Sequence, residues 1–279
     1  MGVESHGLRM HRAILADAGL RLVGLPVGAA GAELPGEDVD AVLLTPAHQF
    51  PLGVPLAAHR RQQAVGWARD TGGVLIEDDY DGEFRYDRHP VGALQALAPD
   101  HVVYAGTASK TLAPGVRLAW LVLPPRLVDD VVAAKRLTDG HCGALDQLAL
   151  ARFLADGGYD RHVRRCRLAY RRRRDRLVTA LPGNRVTGIA AGLSALVEVP
   201  DEAAVVAAAA RAGLAVEGLA EYRRGERDHG PALVVGYATP PDHAFTASVA
   251  RLSAVLALHR EATSPALDSG RCRRRPGRP

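Results

Sequence analysis

Lysine is nearly absent from this sequence, although basic residues are not. Lysine and arginine together number 35, and only Lys110 and Lys135 are lysines. Arginine stays protonated at any accessible pH, whereas a lysine amine can lose its proton and attack a carbonyl carbon. A chain that uses arginine for nearly every positive charge therefore raises the question of why position 110 is a lysine.

Cysteine and long apolar segments are also scarce. The three cysteines, Cys142, Cys166 and Cys272, lack the spacing of metal ligands, so neither a disulfide framework nor a metal site is indicated, and we interpret them as reduced thiols. No window approaches the roughly 20 consecutive apolar residues of a membrane helix. Residues 1–12 carry charges where a signal peptide has an apolar segment. We expect a cytoplasmic protein with no membrane contact.

The formal net charge of +4 comes from one end of the chain. Five arginines lie in the last nine residues, RCRRRPGRP, and without them the chain is close to neutral. Glycine, proline and the lack of apolar periodicity predict that residues 263–279 form a disordered basic tail. A phosphate-binding arm is the alternative for such a tail.

A second basic run, residues 161–181, carries an apolar stripe. Its members recur at intervals of three, four or seven residues, as in an amphipathic helix: Val163, Cys166, Tyr170, Leu177 and Leu181. We expect its arginines to cover a solvated or subunit-facing side with their aliphatic stems. A nucleic-acid-binding groove is the alternative.

Short apolar runs alternate with helical segments, which predicts an α/β fold with a mostly parallel sheet. Five runs have the composition of buried strands: residues 21–27, 41–46, 73–78, 101–107 and 117–124. The pattern is helical after residue 125, and from about residue 184 it is strand, helix, strand, helix. We expect a large domain over residues 1–160, a connecting helix over 161–183 and a smaller α+β domain over 184–262.

Polar residues follow the predicted central strands, and in open α/β sheets ligands bind at the carboxyl ends of strands. Three such ends supply acids, an amine with hydroxyls, and an imidazole with an amide: Glu77, Asp78, Asp79, Tyr80 and Asp81; Thr107, Ser109 and Lys110; His48 and Gln49. Each group also has an ordinary structural explanation. The acids can be a solvated turn or a divalent-cation site, the hydroxyls can cap a turn, and His48 can be a hydrogen-bonded core residue.

Four segments of the chain occur together in one known family, in this order and at matching intervals: TPAHQFPLGV, LIEDDYDGEFRY, YAGTASKTLAPGVRLAWLVLP and RHVRRCRLAYRRRRDRL. Over residues 3 to 240 the chain resembles the aminotransferase-like domain of MocR-type regulators in the GntR superfamily. The resemblance implies the fold of a class I/II aminotransferase of fold type I, which uses pyridoxal 5'-phosphate (PLP). Residues 1–160 would then be an incomplete PLP-binding large domain.

The resemblance also implies roles for individual residues. Lys110 matches the lysine that forms an imine with PLP, and Asp78 matches the acid that pairs with the pyridine nitrogen. Tyr80 matches the phenol that hydrogen-bonds the ring oxygen of the cofactor. A buried carboxylate favours the protonated ring nitrogen on which the electron-sink chemistry of PLP depends.

Three further residues match the phosphate site of the family. Arg117 corresponds to the arginine on the PLP phosphate, with help from Thr107 and Ser109. The planar fork of donors in a guanidinium suits a phosphate, and its positive charge lowers the pKa of a neighbouring lysine. Lys135, which has no such surroundings, is expected on a helix surface.

Departures from the family pattern affect the expected function. Members of the family begin with a winged helix-turn-helix, a linker and a Gly-rich phosphate-binding segment, and this sequence begins after all of them. A helix N-terminus of that kind is an anion site, so Arg117, Thr107 and Ser109 would hold the phosphate without it. His6 stands where proline is usual, and Val234 stands where many aminotransferases have an arginine for the substrate carboxylate.

These features lead to two main functional hypotheses. The chain is the PLP-binding effector domain of a MocR-type regulator without its DNA-binding domain, which senses a small amine, an amino acid or PLP itself. Alternatively, it is a PLP-dependent class I/II aminotransferase that acts on an amino acid or another amine, with Lys110 as imine partner and proton shuttle. A degenerate fragment without cofactor is a third possibility. The resemblance further implies a homodimer.

Overall fold

The fold is described from a computed structural model, which covers residues 1–34, 36, 39–86, 91–225 and 229–263. The predicted basic tail lies outside the described residues, apart from Thr263 at the end of the last helix. No helix in the described ranges has the length and apolar character needed to span a membrane.

The first sheet contains six strands, which are, in chain order, β1 (Gly2–Glu4), β2 (Val23–Leu25), β5 (Ala41–Leu44), β6 (Val74–Asp79), β7 (Val102–Thr107) and β8 (Ala119–Val122). Their spatial order is β2-β1-β5-β6-β7-β8. All neighbours are parallel except β7 and β8, which are antiparallel. A separate short hairpin pairs β3 (Val27–Gly28) with β4 (Gly31–Ala32). The predicted α/β fold with a mostly parallel sheet is confirmed.

Helices connect these strands and continue the chain after them. They are α1 (Arg9–Asp17), α2 (Ala58–Thr71), α3 (Val128–Thr138), α4 (Ala144–Ala155) and α5 (Gly158–Ala180). Helix α2 ends at a glycine, since Gly72 adopts the left-handed conformation with φ 72°. Apolar residues of α2 pack with those of β5 and β6 in one core cluster.

The second sheet has four antiparallel strands in the order β11-β12-β10-β9. They are β9 (Val186–Thr187), β10 (Ser194–Glu198), β11 (Glu217–Gly218) and β12 (Ala232–Gly236), with helices α6 (Glu202–Arg211) and α7 (Asp242–Thr263). The Asp201 carboxylate caps α6 by accepting a hydrogen bond from Ala204 N at 3.0 Å. This is the predicted strand, helix, strand, helix order with two short strands added.

The second sheet is buried on both faces. The cross-strand pair Leu196 and Val234 faces the core cluster that contains β5, β6 and α2. The next pair, Val197 and Leu233, faces the other way, toward a cluster with Phe84, α5 and α7. Both clusters therefore combine residues from before and after α5, and the domain division at 161–183 stays a prediction.

The amphipathic character of α5 is confirmed. Val163, Leu177 and the following Leu181 are buried, and Cys166 and Tyr170 pack against the second cluster. At least one of its arginines also binds other parts of the chain. One Nη of Arg173 donates to the carbonyl oxygens of Tyr237 and Ala238 at 3.2 and 2.9 Å, and its guanidinium lies 5.0 Å from the ring centroid of Phe245. The helix thus holds the chain that follows β12.

Candidate functional site

Strand β6 presents its acids to opposite faces of the sheet, because side chains alternate along a strand. Glu77 is buried and accepts hydrogen bonds from Leu94 N and Gln95 N at 2.9 and 3.0 Å. On the same face, the Tyr104 hydroxyl donates to Asp79 Oδ2 at 2.7 Å. Asp78 lies between these two occupied acids and points to the opposite face. It is the acid of this strand that is left available for a ligand.

The Asp78 carboxylate is mostly buried, with 16% of its side chain exposed. Among the described residues it has no hydrogen-bond donor, and His11 Nδ1 lies 3.8 Å from Oδ2. Burial, with the charges of Asp79 and Asp81, raises the pKa of Asp78 to about 7, while the charge of Lys110 opposes this rise. This carboxylate would be stabilised in its charged form by a cationic hydrogen-bond donor.

The lysine loop begins at the carboxyl end of β7, next to that of β6. Asp78 pairs with Ala105 across the two strands, so Thr107, two residues further on, shares the face of Asp78. Thr107 Oγ1 accepts from Ser109 N at 3.1 Å and lies 3.0 Å from Ser109 Oγ, which closes the turn. Lys110 follows in this turn, exposed and near enough to Asp78 to lower its pKa. The structure thus places Thr107 on the face of Asp78, joins Thr107 to Ser109, and leaves Lys110 within electrostatic reach of Asp78.

Helix α5 fixes both the acid turn and the lysine loop. The Tyr159 hydroxyl donates to Glu83 Oε1 at 2.9 Å and lies 3.2 Å from Thr111 Oγ1. His162 Nε2 is 2.7 Å from the carbonyl oxygen of Thr111, and Arg167 Nε donates to the carbonyl oxygen of Glu83 at 2.8 Å. Two separate segments of the candidate site are therefore held by one rigid element.

Arg117 has an unusual backbone conformation directly before β8. Its φ of 54° places it in the left-handed region, and it is the one non-glycine residue with positive φ in the described part of the chain. Such a conformation costs on the order of 1 kcal/mol and is often kept for a functional reason. The side chain is exposed and has no ion-pair or hydrogen-bond partner among the described residues. A free cation thus lies in the loop that follows Lys110.

Tyr80 lies in a buried polar cluster at the start of the acid turn. It is 8% exposed, and its hydroxyl is 3.1 Å from His48 Nδ1. The same nitrogen is 2.8 Å from Asp81 Oδ2, and both partners are buried. Burial and the neighbouring charge and hydrogen bond of Asp81 raise the pKa of Tyr80 well above its ordinary value. Of the two sequence alternatives for His48, the hydrogen-bonded buried residue is the one observed.

A second buried acid, Glu4, adjoins this cluster and was not among the sequence candidates. Its Oε2 accepts from Thr45 Oγ1 at 2.7 Å and from Gln49 Nε2 at 3.2 Å. Burial raises the pKa of Glu4 to about 7 against the effect of these hydrogen bonds, and the charge of Asp78 adds to the rise. The signal available in the sequence was one glutamate directly after the apolar Val3.

Val234, at the position where many aminotransferases have an arginine, is buried in the core cluster shared by the two sheets. The pair of valines Val234 and Val235 therefore supplies packing and no charge at this position.

The fold of this protein is the α/β fold of the aminotransferases. The structure of a kynurenine aminotransferase from Pyrococcus horikoshii aligns over 95% of this chain and 70% of its own, with a TM-score of 0.83 and 24% identity. A likeness at this identity shows the fold.

Curated sequences narrow the class to a family. The chain is 34% identical over 267 residues to the pyridoxine biosynthesis transcriptional regulator PdxR of Corynebacterium glutamicum. This alignment covers 92% of this chain and 58% of PdxR. It is 43% identical over 138 residues to the uncharacterized HTH-type transcriptional regulator YhdI of Bacillus subtilis, and the alignment covers 49% of this chain and 29% of YhdI. It is 36% identical over 163 residues to the probable rhizopine catabolism regulator MocR of Rhizobium meliloti, covering 57% of this chain and 33% of that protein. No family model matches the chain.

The chain belongs to the MocR-type regulators and corresponds to their aminotransferase-like part. It spans at most 58% of the length of the three curated relatives named here. The resemblance found in the sequence is confirmed.

Proposed function

We propose that this chain is a PLP-binding effector domain, in which Lys110 joins the cofactor and Asp78 pairs with its ring nitrogen. The observation that carries this proposal is the Asp78 carboxylate, which is mostly buried, has no described hydrogen-bond donor and lies within electrostatic reach of Lys110. A protonated pyridine nitrogen is the donor that such a carboxylate lacks.

The other residues fit the remaining parts of the cofactor. Thr107 and Ser109 offer hydroxyls at the strand end, and Arg117 offers a guanidinium with no partner among the described residues for the phosphate. Tyr80 offers a hydroxyl for the ring oxygen. PLP supplies an aldehyde and an electron sink, and the chain supplies the amine, the counter-charges and the orientation.

A sensing function is supported over amino-acid turnover by two observations. The curated relatives named above are transcriptional regulators. In addition, Val234 provides no charge for a substrate carboxylate. We propose that binding of PLP, or of a small amine or amino acid to the PLP-loaded domain, is the event that is sensed. We place the domain in the cytoplasm, where the free thiols of Cys142 and Cys166 suit a reducing compartment.

Covalent trapping on Lys110 tests the cofactor proposal. Purified protein incubated with PLP should show the absorption band of an imine, and borohydride reduction should fix the cofactor on the peptide that contains Lys110. Lys110→Ala should abolish the band, whereas Lys135→Ala should leave it unchanged, because Lys135 is on α3 in an exposed ion pair with Asp139 at 2.8 Å. A spectrum of free aldehyde in the wild-type protein would reject the proposal.

An amino-donor assay separates the sensor from the enzyme. The PLP-loaded protein should not convert its cofactor to pyridoxamine phosphate across a panel of amino acids and amines. Conversion with any donor at a catalytic rate would favour the aminotransferase hypothesis.

We also propose that a second copy of the chain covers the helices α3 and α4. Neither helix contains a buried residue, and both expose large apolar side chains, among them Leu137, Leu145 and Leu148. Isolated helices of this length are marginal in water, so contact with another surface is needed to stabilise them. Light scattering should give a dimer for the wild-type protein and a smaller mass for the variant Leu145→Glu/Leu148→Glu. A monomeric wild-type protein would reject this proposal.

A further inference from the structure

We propose that His48 and Asp81 form a buried positioning pair that determines where the Tyr80 hydroxyl donates its proton. In one arrangement Tyr80 donates to Asp81, and in the other it donates to the ring oxygen of PLP. This inference rests on the proposed cofactor site, but it concerns contacts within the chain that can be measured without PLP. No covalent bond changes, because the step is a reorientation of one hydroxyl.

The geometry assigns the protons of the cluster. His48 Nδ1 lies 2.8 Å from Asp81 Oδ2 and 3.1 Å from the Tyr80 oxygen. A carboxylate oxygen only accepts, so the closer contact requires the proton on Nδ1 of His48. The imidazole then has no lone pair on that atom for Tyr80. The Tyr80 proton is directed to Asp81, and this hydrogen bond is one cause of the high pKa of Tyr80.

Asp81 therefore accepts hydrogen bonds from two donors, the imidazole N–H of His48 and the phenol of Tyr80. The Asp81 side chain is 2% exposed, so losing every donor would leave a buried, unpaired charge, which is strongly unfavourable. While His48 donates to Asp81, the Tyr80 hydroxyl can turn away without leaving Asp81 unpaired. His48 thus allows Tyr80 to donate to the cofactor. Without His48, the Tyr80 hydroxyl would keep its hydrogen bond to Asp81.

The pair is held in place by a close approach of the chain that leads into the second sheet. Gly192 has φ 77°, and a Cβ at this position would lie 2.6 Å from His48 Nδ1 and 2.7 Å from Asp81 Oδ2. Gly192 N donates to the carbonyl oxygen of Phe84 at 2.9 Å, and its own carbonyl oxygen accepts from the Tyr237 hydroxyl at 2.6 Å. A change in the position of the second sheet would therefore act directly on the pair.

The groups facing Tyr80 are otherwise acidic. Besides Asp81 and the His48 imidazole, the carboxylates of Asp78 and Glu4 act on it electrostatically. Of these carboxylates, Asp81 accepts a hydrogen bond from Tyr80, whereas Asp78 and Glu4 act only through their charge. The Tyr80 hydroxyl can therefore donate to Asp81 or to a ligand, and its partner depends on whether His48 already donates to Asp81.

The first arm of the test uses the protein without PLP. Nitrogen-15 NMR of the His48 imidazole should show the proton on Nδ1, and tyrosine-labelled NMR should show Tyr80 unionised to higher pH than in Asp81→Asn. A proton on Nε2 alone, or no difference between wild type and Asp81→Asn, would overturn the inference. This arm is unaffected if the chain does not bind PLP, so the two proposals fail separately.

The second arm follows the absorption of bound PLP as a function of pH. A hydrogen bond from Tyr80 to the ring oxygen makes the imine less basic, so Tyr80→Phe should raise the apparent pKa by about one unit. His48→Ala should produce a similar rise because the Tyr80 hydroxyl then stays hydrogen-bonded to Asp81.

Two variants should have the wild-type imine pKa. One is His48→Asn, whose amide N–H can replace Nδ1–H, and the other is the double variant His48→Ala/Asp81→Asn. If the pair has only a structural role, the double variant should keep the raised imine pKa of His48→Ala, and that result would overturn the inference.

Discussion

Asp78→Asn should stabilise the protein without cofactor, although it removes the group on which PLP binding is proposed to depend. The pKa of Asp78 rises from 3.8 to about 7 on folding, chiefly through burial. A carboxyl group with a raised folded pKa binds protons more tightly in the folded state. Its ionisation therefore destabilises the folded state progressively as the pH rises from the unfolded value to the folded value.

The magnitude follows from the size of the shift. A difference of about three pKa units corresponds to about 4 kcal/mol once the pH is above both values, at 1.36 kcal/mol per unit. At pH 5.5 roughly half of this cost is already present, so the wild-type protein should lose about 2 kcal/mol more than Asp78→Asn between pH 5.5 and pH 8. The nearby acids titrate in both proteins, and because the charge of Asp78 also raises the pKa of Glu4, the difference includes this coupling.

Urea unfolding of both proteins at pH 5.5 and pH 8, followed by circular dichroism, measures this difference. Asp17→Asn, which removes an exposed carboxylate on α1, is the control for the loss of one charge. If Asp78→Asn and the wild-type protein lose stability in parallel as the pH rises, the buried, donor-free environment assigned to Asp78 is wrong. Saturating PLP should reduce the pH-dependent loss in the wild-type protein and not in the variant. The protonated ring nitrogen would bind the ionised Asp78 carboxylate more tightly than the protonated one, so the stabilisation by bound PLP should grow as the pH rises.

Three further changes test how the site is held. Gly192→Ala should lower the unfolding free energy by about 2 kcal/mol or more in urea titrations, because its Cβ would clash with His48 and Asp81; Gly225→Ala, also at positive φ but with nothing within 4 Å, measures the backbone cost alone. Tyr159→Phe should speed hydrogen exchange in residues 108–112, since the Tyr159 hydroxyl contacts Thr111; unchanged exchange would show that this hydroxyl does not hold the lysine loop. Arg173→Ala should cost about 1–3 kcal/mol through two carbonyl hydrogen bonds and the Phe245 ring, whereas Arg172→Ala, on the exposed side of α5, should be close to neutral.

The central strands were predictable because burial on both faces produces short apolar runs. Observed strands β5, β6 and β7 begin and end within one or two residues of the predicted runs. β1 was missed because it has only three residues and its last one, Glu4, is a charged residue that is buried. The direction of β8 was not readable from composition either. The loop 108–118 contains no α-helix to carry the chain back across the sheet, and without such a crossover the next strand runs antiparallel.

The candidate site was predictable as a list of residues but not as a set of contacts. Strand ends and the family resemblance led to Asp78, Lys110 and their neighbours. The pairing of His48 with Asp81 joins positions 33 residues apart. This contact depends on where two loops meet in the fold, and no local sequence pattern predicts it.

The arginine-rich helix shows what sequence patterning conveys and what it omits. The stripe of apolar residues correctly predicted which side of α5 is buried, because hydrophobic burial depends on the side-chain type at each position. The same pattern gave no reason to connect α5 with the site, since its polar side was interpreted as solvated or subunit-facing. In the structure, polar residues of α5 hold the carbonyl oxygens of Glu83 and Thr111, one in each segment that carries a proposed cofactor contact. A displacement of α5 would move Asp78 and Lys110 through their own loops. We therefore expect cofactor occupancy and the second sheet to influence each other through α5, which contacts both segments of the candidate site and packs against the second sheet.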